Sequence, residues 1–173
     1  MNGPADIWRQ AADKYDAVIA EVGDDQWDLP TTCDGWTVRE LVEHTMHWQA
    51  QGGSVLGAGT SPGDDWADVR PALSAALDDP SNLEGNAEAM GGMPKHQVLG
   101  FVIGDLLIHS WDLARSIGAD ETLPADAVEA TMLGLSRAPA EMLRGPNMFG
   151  EPTDVADDAS AQDQLLAFAG RTP

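Results

Sequence analysis

Apolar side chains recur every three or four positions along most of the chain, in stretches separated by proline and glycine. Runs in which β-branched or aromatic residues alternate with polar ones, the usual mark of a strand, are nearly missing. The spacing therefore predicts an all-α protein, a helical bundle with four or five substantial helices. Helices are predicted over about 5–22, 37–51, 66–77, 95–117, 124–143 and 160–169.

Several helix ends are marked by single residues. Thr37 and Glu40 stand in the Thr-x-x-Glu order of a capping box, which predicts a helix start at Thr37. Gly118 closes the strongest helix, 95–117. Pro139 is expected to shorten or kink the helix over 124–143, because proline lacks the amide hydrogen that a helix interior needs. The segment 144–158 is interpreted as a loop-rich connector.

Composition and charge restrict the function. The 173 residues include 29 acidic and 9 basic side chains, for a formal charge of −20. So few basic residues argue against binding to nucleic acid or to an anionic membrane surface. Because 43% of the residues are hydrophobic, among them six tryptophans, the charge does not indicate disorder. The length suits a single domain over 1–173.

The single cysteine and the lengths of the apolar runs bear on the cellular compartment. Cys33 is the one cysteine, which excludes an internal disulfide and a zinc site built from thiolates. The first residues lack a basic stretch followed by an apolar run, and no run approaches the ~18 apolar residues of a membrane span. We therefore expect a soluble cytoplasmic protein, for which a homodimer is a possible assembly.

The helix over 95–117 carries an unusual polar stripe. Asp105 and His109 project within about 40° of each other, and Asp112 lies within about 60° of His109. A carboxylate on an apolar helix needs a partner or a metal if it is buried. Two interpretations stay open on the helix alone: a solvent-facing strip, with an Asp112–Arg115 ion pair, or part of a metal site.

A metal site needs a ligand from another helix, and the helix over 37–51 offers two histidines. His44 lies near an apolar face, where a hydrogen-bonded core histidine is the alternative to a ligand; His47 is expected to be exposed. His96 is about 180° from Asp105 on its helix and should face elsewhere. Cys33 lies just before a predicted helix start, where a reactive thiol is one interpretation and a partly buried loop cysteine is the favoured one.

Three stretches resemble the DinB-like family of mycothiol-dependent maleylpyruvate isomerases. Residues 27–44 (WDLPTTCDGWTVRELVEH) resemble the N-terminal signature, and 105–115 (DLLIHSWDLAR) resemble the second metal-binding stretch. Residues 163–171 (DQLLAFAGR) are similar to the tail of compact members. The order of the three is that of the family, and together they extend over most of the chain.

The resemblance implies an antiparallel four-helix bundle that binds a divalent metal between its second and fourth long helices. The ligands carried over are His44, Asp105 and His109; the metal is expected to be zinc, with nickel as the alternative. The family's isomerase has glutamate at the position of Asp105, whose side chain is one methylene shorter. Asp112 would orient His109 or a bound water, and Arg115 would hold Asp112 or meet a substrate carboxylate.

The implied activity is that of a metal-dependent thiol S-transferase or thiol-assisted isomerase. Mycothiol or a similar low-molecular-weight thiol would be the cosubstrate, and a small electrophilic molecule the substrate. The alternatives are a non-catalytic metal-binding or stress-related bundle and a metal-dependent hydrolase. A cavity lined by Trp and Met side chains beside the metal ligands would favour catalysis over binding alone.

Overall fold

The computed structural model describes residues 2–138, 143–144 and 149–173. Within these ranges six α-helices form: α1 (Pro4–Ile19), α2 (Val38–Val55), α3 (Trp66–Ala76), α4 (Lys95–Ile117), α5 (Ala125–Leu135) and α6 (Ala161–Phe168). Single 3-10 turns at Pro80–Leu83 and Glu88–Met90 lie beside a two-stranded antiparallel sheet of β1 (Asn86–Ala87) and β2 (Met93–Pro94). The protein is therefore mostly helical, as predicted, while the antiparallel four-helix arrangement stays a prediction.

Helix α4 is the centre of the fold. Helices α1, α2 and α5 all pack against it, and every residue over 106–114 is buried. A helix enclosed on several sides needs apolar residues around most of its circumference. Asp112, with no exposed surface, is therefore an exception that needs partners. None of the helices in the described ranges is long and apolar enough to cross a membrane.

Helices α2 and α4 approach each other closely at Gly52. A Cβ at this position would lie 2.4 Å from Cγ2 of Val102, so only glycine fits without a shift. Three residues earlier, the buried Gln49 donates through Nε2 to the Val102 carbonyl (2.8 Å) and accepts from Nε1 of Trp8 (3.1 Å). These contacts join α1, α2 and α4, and they fix the rotation of α2 about its axis.

The local signals for helix ends are largely confirmed. Helix α4 has the predicted bounds, with Gly118 in the left-handed conformation at φ 76°. The capping box forms, since Thr37 Oγ1 accepts from the Glu40 amide (3.3 Å) and a Glu40 carboxylate oxygen accepts from the Thr37 amide (2.8 Å). Helix α6 starts after Ser160, whose side chain accepts from the Asp163 amide.

Other predicted bounds were wrong. Helix α1 ends at Ile19 instead of about 22, and α2 continues through Gly52 to Val55 instead of ending near 51. Within the helix, Gly52 lies against Val102 of α4, where a side chain would not fit. Helix α5 ends at Leu135, and the chain turns over 136–138. Pro139 follows in sequence, and proline disfavours a helical conformation in the residue before it. The remainder of that prediction, over 139–142, lies outside the described residues.

Candidate metal centre and its cavity

Three predicted ligand side chains converge between α2 and α4. Nε2 of His44 and Nε2 of His109 each lie 3.4 Å from Oδ1 of Asp105. One ligand atom from each of the three lies within 4.8 Å of the others. The rings of the two histidines meet edge to face, with centroids 5.2 Å apart. The structure therefore brings together the residues that the helical spacing and the resemblance had singled out.

Each ligand is positioned by its own element. Asp105 and His109 lie one turn apart on α4, so both point to the same side. His44 lies two turns into α2, and the Trp36 ring packs on its imidazole with a centroid distance of 4.6 Å. Because Trp36 directly precedes the Thr37 cap, the start of α2 also fixes one face of His44.

These residues fit a divalent metal. Oδ2 of Asp105 is buried without a hydrogen-bond partner, an arrangement that is costly unless a ligand completes it. Two imidazole nitrogens and one carboxylate oxygen are donors that zinc and nickel accept. Three protein ligands leave coordination positions open, which is typical of catalytic sites and not of structural ones.

Asp112 supports His109 from behind the ligand cluster. Its carboxylate accepts from Thr32 Oγ1 (2.6 Å) and from Arg171 through Nε (3.2 Å) and Nη2 (2.7 Å). Nδ1 of His109 lies 2.9 Å from Oδ2 of Asp112. Because an ionised carboxylate only accepts, Nδ1 carries the proton, and Nε2 is directed towards Asp105 and His44.

The cation that binds Asp112 is not the one that was predicted. Arg115 was expected to hold Asp112 or to meet a substrate carboxylate, but its guanidinium binds Glu121 (2.8–3.1 Å) and lies 4.3 Å from the Trp111 ring centroid. It lies near the C-terminal end of α4, where its side chain is 37% exposed. Arg171 takes its place at Asp112. The available signal was the tail resemblance, which ends at this arginine.

A second group of potential ligands overlaps the first. Cys33, His109 and Asp112 also place donor atoms within 4.8 Å of one another. Sγ of Cys33, a half-buried loop residue as interpreted, lies 3.5 Å from Oδ2 of Asp112 and 3.7 Å from Nη2 of Arg171. Since the Asp112 carboxylate is already engaged by Arg171 and Thr32, this group serves better as a support for His109 than as a metal site.

The pKa directions in the metal-free protein follow from these contacts. Burial alone would lower the pKa of His109, but the Asp105 charge and hydrogen bonds to Asp105 and Asp112 raise it well above its ordinary value. Burial alone would raise the pKa of Asp105, yet His109 and His44 lower it. Hydrogen bonds from His109 and Arg171 likewise outweigh burial and lower the pKa of Asp112. The cluster is thus a set of coupled charges that a cation would rearrange.

The ligand cluster opens into a cavity of about 1000 Å³. Aromatic and methionine side chains form much of its wall, which is the feature that would favour catalysis over metal binding alone. The C-terminal residues 169–172 form another side and carry Arg171 to Asp112. The aromatic and methionine residues of the wall are Trp36, Trp48, Met90, Met93, Phe101, Trp111 and Phe149.

The other two histidines lie elsewhere. His47 is exposed on α2, as expected. His96, also exposed, lines a separate cavity of about 280 Å³ that includes residues of α4 and α5. Neither belongs to the ligand cluster, so His96 can serve as a control for the candidate site.

Comparison with known proteins agrees with this geometry. The model of the family "Mycothiol maleylpyruvate isomerase N-terminal domain" matches residues 8–65, which include most of α1, all of α2 and His44. Uncharacterized protein Rv0738 of Mycobacterium tuberculosis strain H37Rv is 31% identical over 179 aligned residues, covering 95% of each chain. This chain belongs to the mycothiol maleylpyruvate isomerase N-terminal domain family. Uncharacterized protein MT0763 of strain CDC 1551 / Oshkosh has the same identity and coverage.

The family match and the geometry contribute different parts of the site. His44 lies within the matched residues, whereas Asp105 and His109 lie beyond them on α4. Their place in the candidate centre therefore rests on their contacts with His44. No solved structure is significantly similar to this chain.

Proposed function

We propose that the protein is a metal-dependent enzyme that joins a low-molecular-weight thiol, of the mycothiol type, to a small electrophile. The observation that carries this proposal is the opening of the His44–Asp105–His109 cluster into the large aromatic cavity. A site that only stored a metal would need no such space. We further propose zinc as the metal, with nickel as the alternative, and an antiparallel four-helix bundle of the DinB-like type as the single domain.

The cavity supports two ligands at once. A cavity of about 1000 Å³ is at the upper end of the range that small-molecule sites occupy. Its ligand cluster is polar, whereas much of the remaining lining is aromatic and methionine. This division suits a thiol at the cluster and an electrophilic carbon held against the wall, so that the two reactants meet within one enclosure.

Each residue has a defined task in this proposal. His44, Asp105 and His109 would hold a divalent cation, which lowers the pKa of a bound thiol and so keeps its sulfur as thiolate at neutral pH. Asp112 keeps the proton on Nδ1 of His109, which directs Nε2 to the centre. The aromatic wall excludes water and orients the electrophile. The sulfur–carbon bond forms as the leaving group departs, or as a double bond accepts the electron pair; in an isomerisation the sulfur later leaves again.

The test combines metal content with thiol conjugation. Protein purified without chelators is expected to hold about one divalent metal per chain and to accelerate conjugate formation between mycothiol and an electrophile, followed by mass spectrometry. His44→Ala and His109→Ala should lose both properties. His96→Ala removes the same kind of side chain from α4 outside the cluster and should keep both.

Three outcomes would contradict the proposal. Stoichiometric metal in the His109→Ala variant would show that the ligands lie elsewhere. Tight metal binding with no thiol-dependent turnover across a panel of electrophiles would leave the non-catalytic metal-binding protein as the better interpretation. Turnover that is equal without thiol would instead indicate a hydrolase.

A further inference from the structure

We infer that the electrophile taken by this cavity is an uncharged aromatic molecule, not a carboxylate. The reaction of that molecule rests on the proposed thiol transfer, but its binding can be measured independently. The inference separates this chain from the chemistry in its family's name, because maleylpyruvate is a dicarboxylate. Three features favour such a ligand: the wall of the cavity, the fixed charges that line it and the electrostatic field of the whole protein.

The wall favours flat apolar surfaces. Trp48 and Phe101 come from α2 and α4, while Met90 comes from the 3-10 turn and Met93 from β2, both just before α4. Aromatic rings stack on other rings, and methionine side chains adapt to ligands of irregular shape. Such a wall binds an aromatic electrophile through area and shape, without a charged partner.

The fixed charges disfavour an anion. Among the described residues that line the cavity, Arg171 is the only lysine or arginine. Its Nε and Nη2 bind the Asp112 carboxylate, and its Nη1 donates to the Ala169 carbonyl (2.8 Å). A substrate carboxylate would therefore compete with the fully buried Asp112 and with the Ala169 carbonyl for this guanidinium. Two further carboxylates, Asp34 and Asp105, line the same cavity.

The neutrality of the loaded site and the overall field act in the same direction. A divalent cation, the Asp105 carboxylate and a bound thiolate together sum to zero charge, so little attraction remains for a second anion. The formal charge of −20 also lowers the local concentration of anions around the protein. Neither effect weakens the binding of an uncharged ligand.

A matched pair of ligands isolates the charge. 4-Chloro-3-nitrobenzamide and 4-chloro-3-nitrobenzoate have nearly the same shape, but only the second is an anion, and both react with thiolates. Their binding is followed by quenching of tryptophan fluorescence in metal-free protein without thiol, where no open coordination position of a metal attracts the carboxylate. The signal reports on the cavity because Trp36, Trp48 and Trp111 line it. The amide is expected to bind at least about tenfold more tightly, since the cavity offers no free cation to the carboxylate.

A variant with a new cation tests whether the cavity wall sets this preference. Met93→Lys should improve binding of the carboxylate by about tenfold and leave the amide little changed. Leu133→Lys adds the same charge on an exposed position of α5 outside the cavity, where no such change is expected. Conjugation rates with mycothiol, corrected for the uncatalysed reaction, should follow the same order.

The outcomes separate this inference from the proposed function. Equal or tighter binding of the carboxylate to the unaltered protein overturns the inference, even if both compounds are conjugated. Selective binding of the amide without conjugation of either compound would contradict the proposed function and support the ligand class. Selective binding with selective conjugation supports both.

Discussion

At the scale of single residues, the buried carboxylate of Asp112 connects stability to the metal centre. It has no exposed surface, and it is held by the Arg171 guanidinium, the Thr32 hydroxyl and Nδ1 of His109. Removing the charge leaves Arg171 buried without its counter-ion and releases the orientation of His109. The same side chain therefore affects both the stability of the protein and its metal affinity, and the two effects can be measured separately.

Asp112→Asn is expected to lower the free energy of unfolding by about 3 kcal/mol, because it breaks a buried ion pair. It should also weaken metal binding about 10–100-fold, since the residue that orients a ligand histidine is altered. Urea unfolding of the metal-free protein and competition with a chelator measure the two effects.

Asp28→Asn is the matched control for this substitution. The Asp28 side chain is 88% exposed, and Oδ1 lies 3.8 Å from Nη2 of Arg39. Exposed pairs of this kind contribute little, so neither quantity should change measurably. Unchanged metal affinity in folded Asp112→Asn protein would show that Asp112 does not orient His109.

The raised pKa of His109 makes the stability of the metal-free protein depend on pH. Because the pKa is raised in the folded state, the contribution of His109 to stability is fully present below its ordinary value of about 6.5. That contribution is lost as the pH rises through the higher folded pKa. The metal needs the unprotonated Nε2, so metal affinity should instead increase with pH.

Unfolding of the metal-free protein between pH 6 and 9, compared with His109→Gln, measures the first effect. The stability difference between the two proteins should shrink as the pH rises, because the variant cannot carry the charge. Calorimetric titration with zinc measures the second effect through proton release. A difference that grows with pH would contradict the charged state assigned to His109.

At the scale of elements, the site depends on how closely α2 packs against α4. Gly52 lies against Val102 without room for a Cβ, and this contact fixes α2 in the orientation that presents His44 to Asp105. Gly52, just beyond the predicted end of this helix at about 51, is therefore part of the helix interface.

Gly52→Ala is expected to destabilise the protein by about 1–3 kcal/mol through overpacking, and to weaken metal binding by shifting His44. Thermal unfolding and chelator competition check both. Gly100→Ala is the control, since it is also a helical glycine but its Cβ would meet nothing within 4 Å. There alanine should stabilise by about 0.5–1 kcal/mol and leave the metal affinity unchanged; a neutral Gly52→Ala would contradict the close contact.

The same elements show what the sequence could predict. The bounds of α4 and the capping box at Thr37 depend on signals within a few residues, and both are confirmed. The far end of α2 was missed because a residue on α4, Val102, requires the glycine there. Features that depend on a few neighbouring residues could therefore be predicted from the sequence, whereas contacts between distant segments could not.

The same distinction between local features and long-range contacts holds for the candidate site. The spacing of Asp105 and His109 on one face could be predicted from the helix alone, and the resemblance selected His44, but only packing shows that His44 lies within 3.4 Å of Asp105. The partner of Asp112 lies 59 residues further along the chain at Arg171, too far for any local pattern. The resemblance supplied the ligand set, and the structure supplied the support behind it.

At the scale of the whole molecule, the charge of −20 and the ligand cluster attract cations by different means. A diffuse field of 29 carboxylates holds several divalent ions weakly and is screened beyond about 8 Å at physiological salt. The cluster binds through three converging donors, at which short-range coordination dominates. Screening by salt should therefore distinguish the two classes of bound ion.

Equilibrium dialysis against zinc at about 0.02 M and about 0.5 M sodium chloride makes this distinction, because the Debye length falls several-fold over that range. At low salt more than one ion per chain should bind, and at high salt about one should remain. His44→Ala should lose that remaining ion while keeping the salt-sensitive ones, and His96→Ala should behave as the unaltered protein. If all binding disappeared at high salt, the acidic surface alone would account for it; if the ion that survives high salt also survived in His44→Ala, a different set of ligands would hold it.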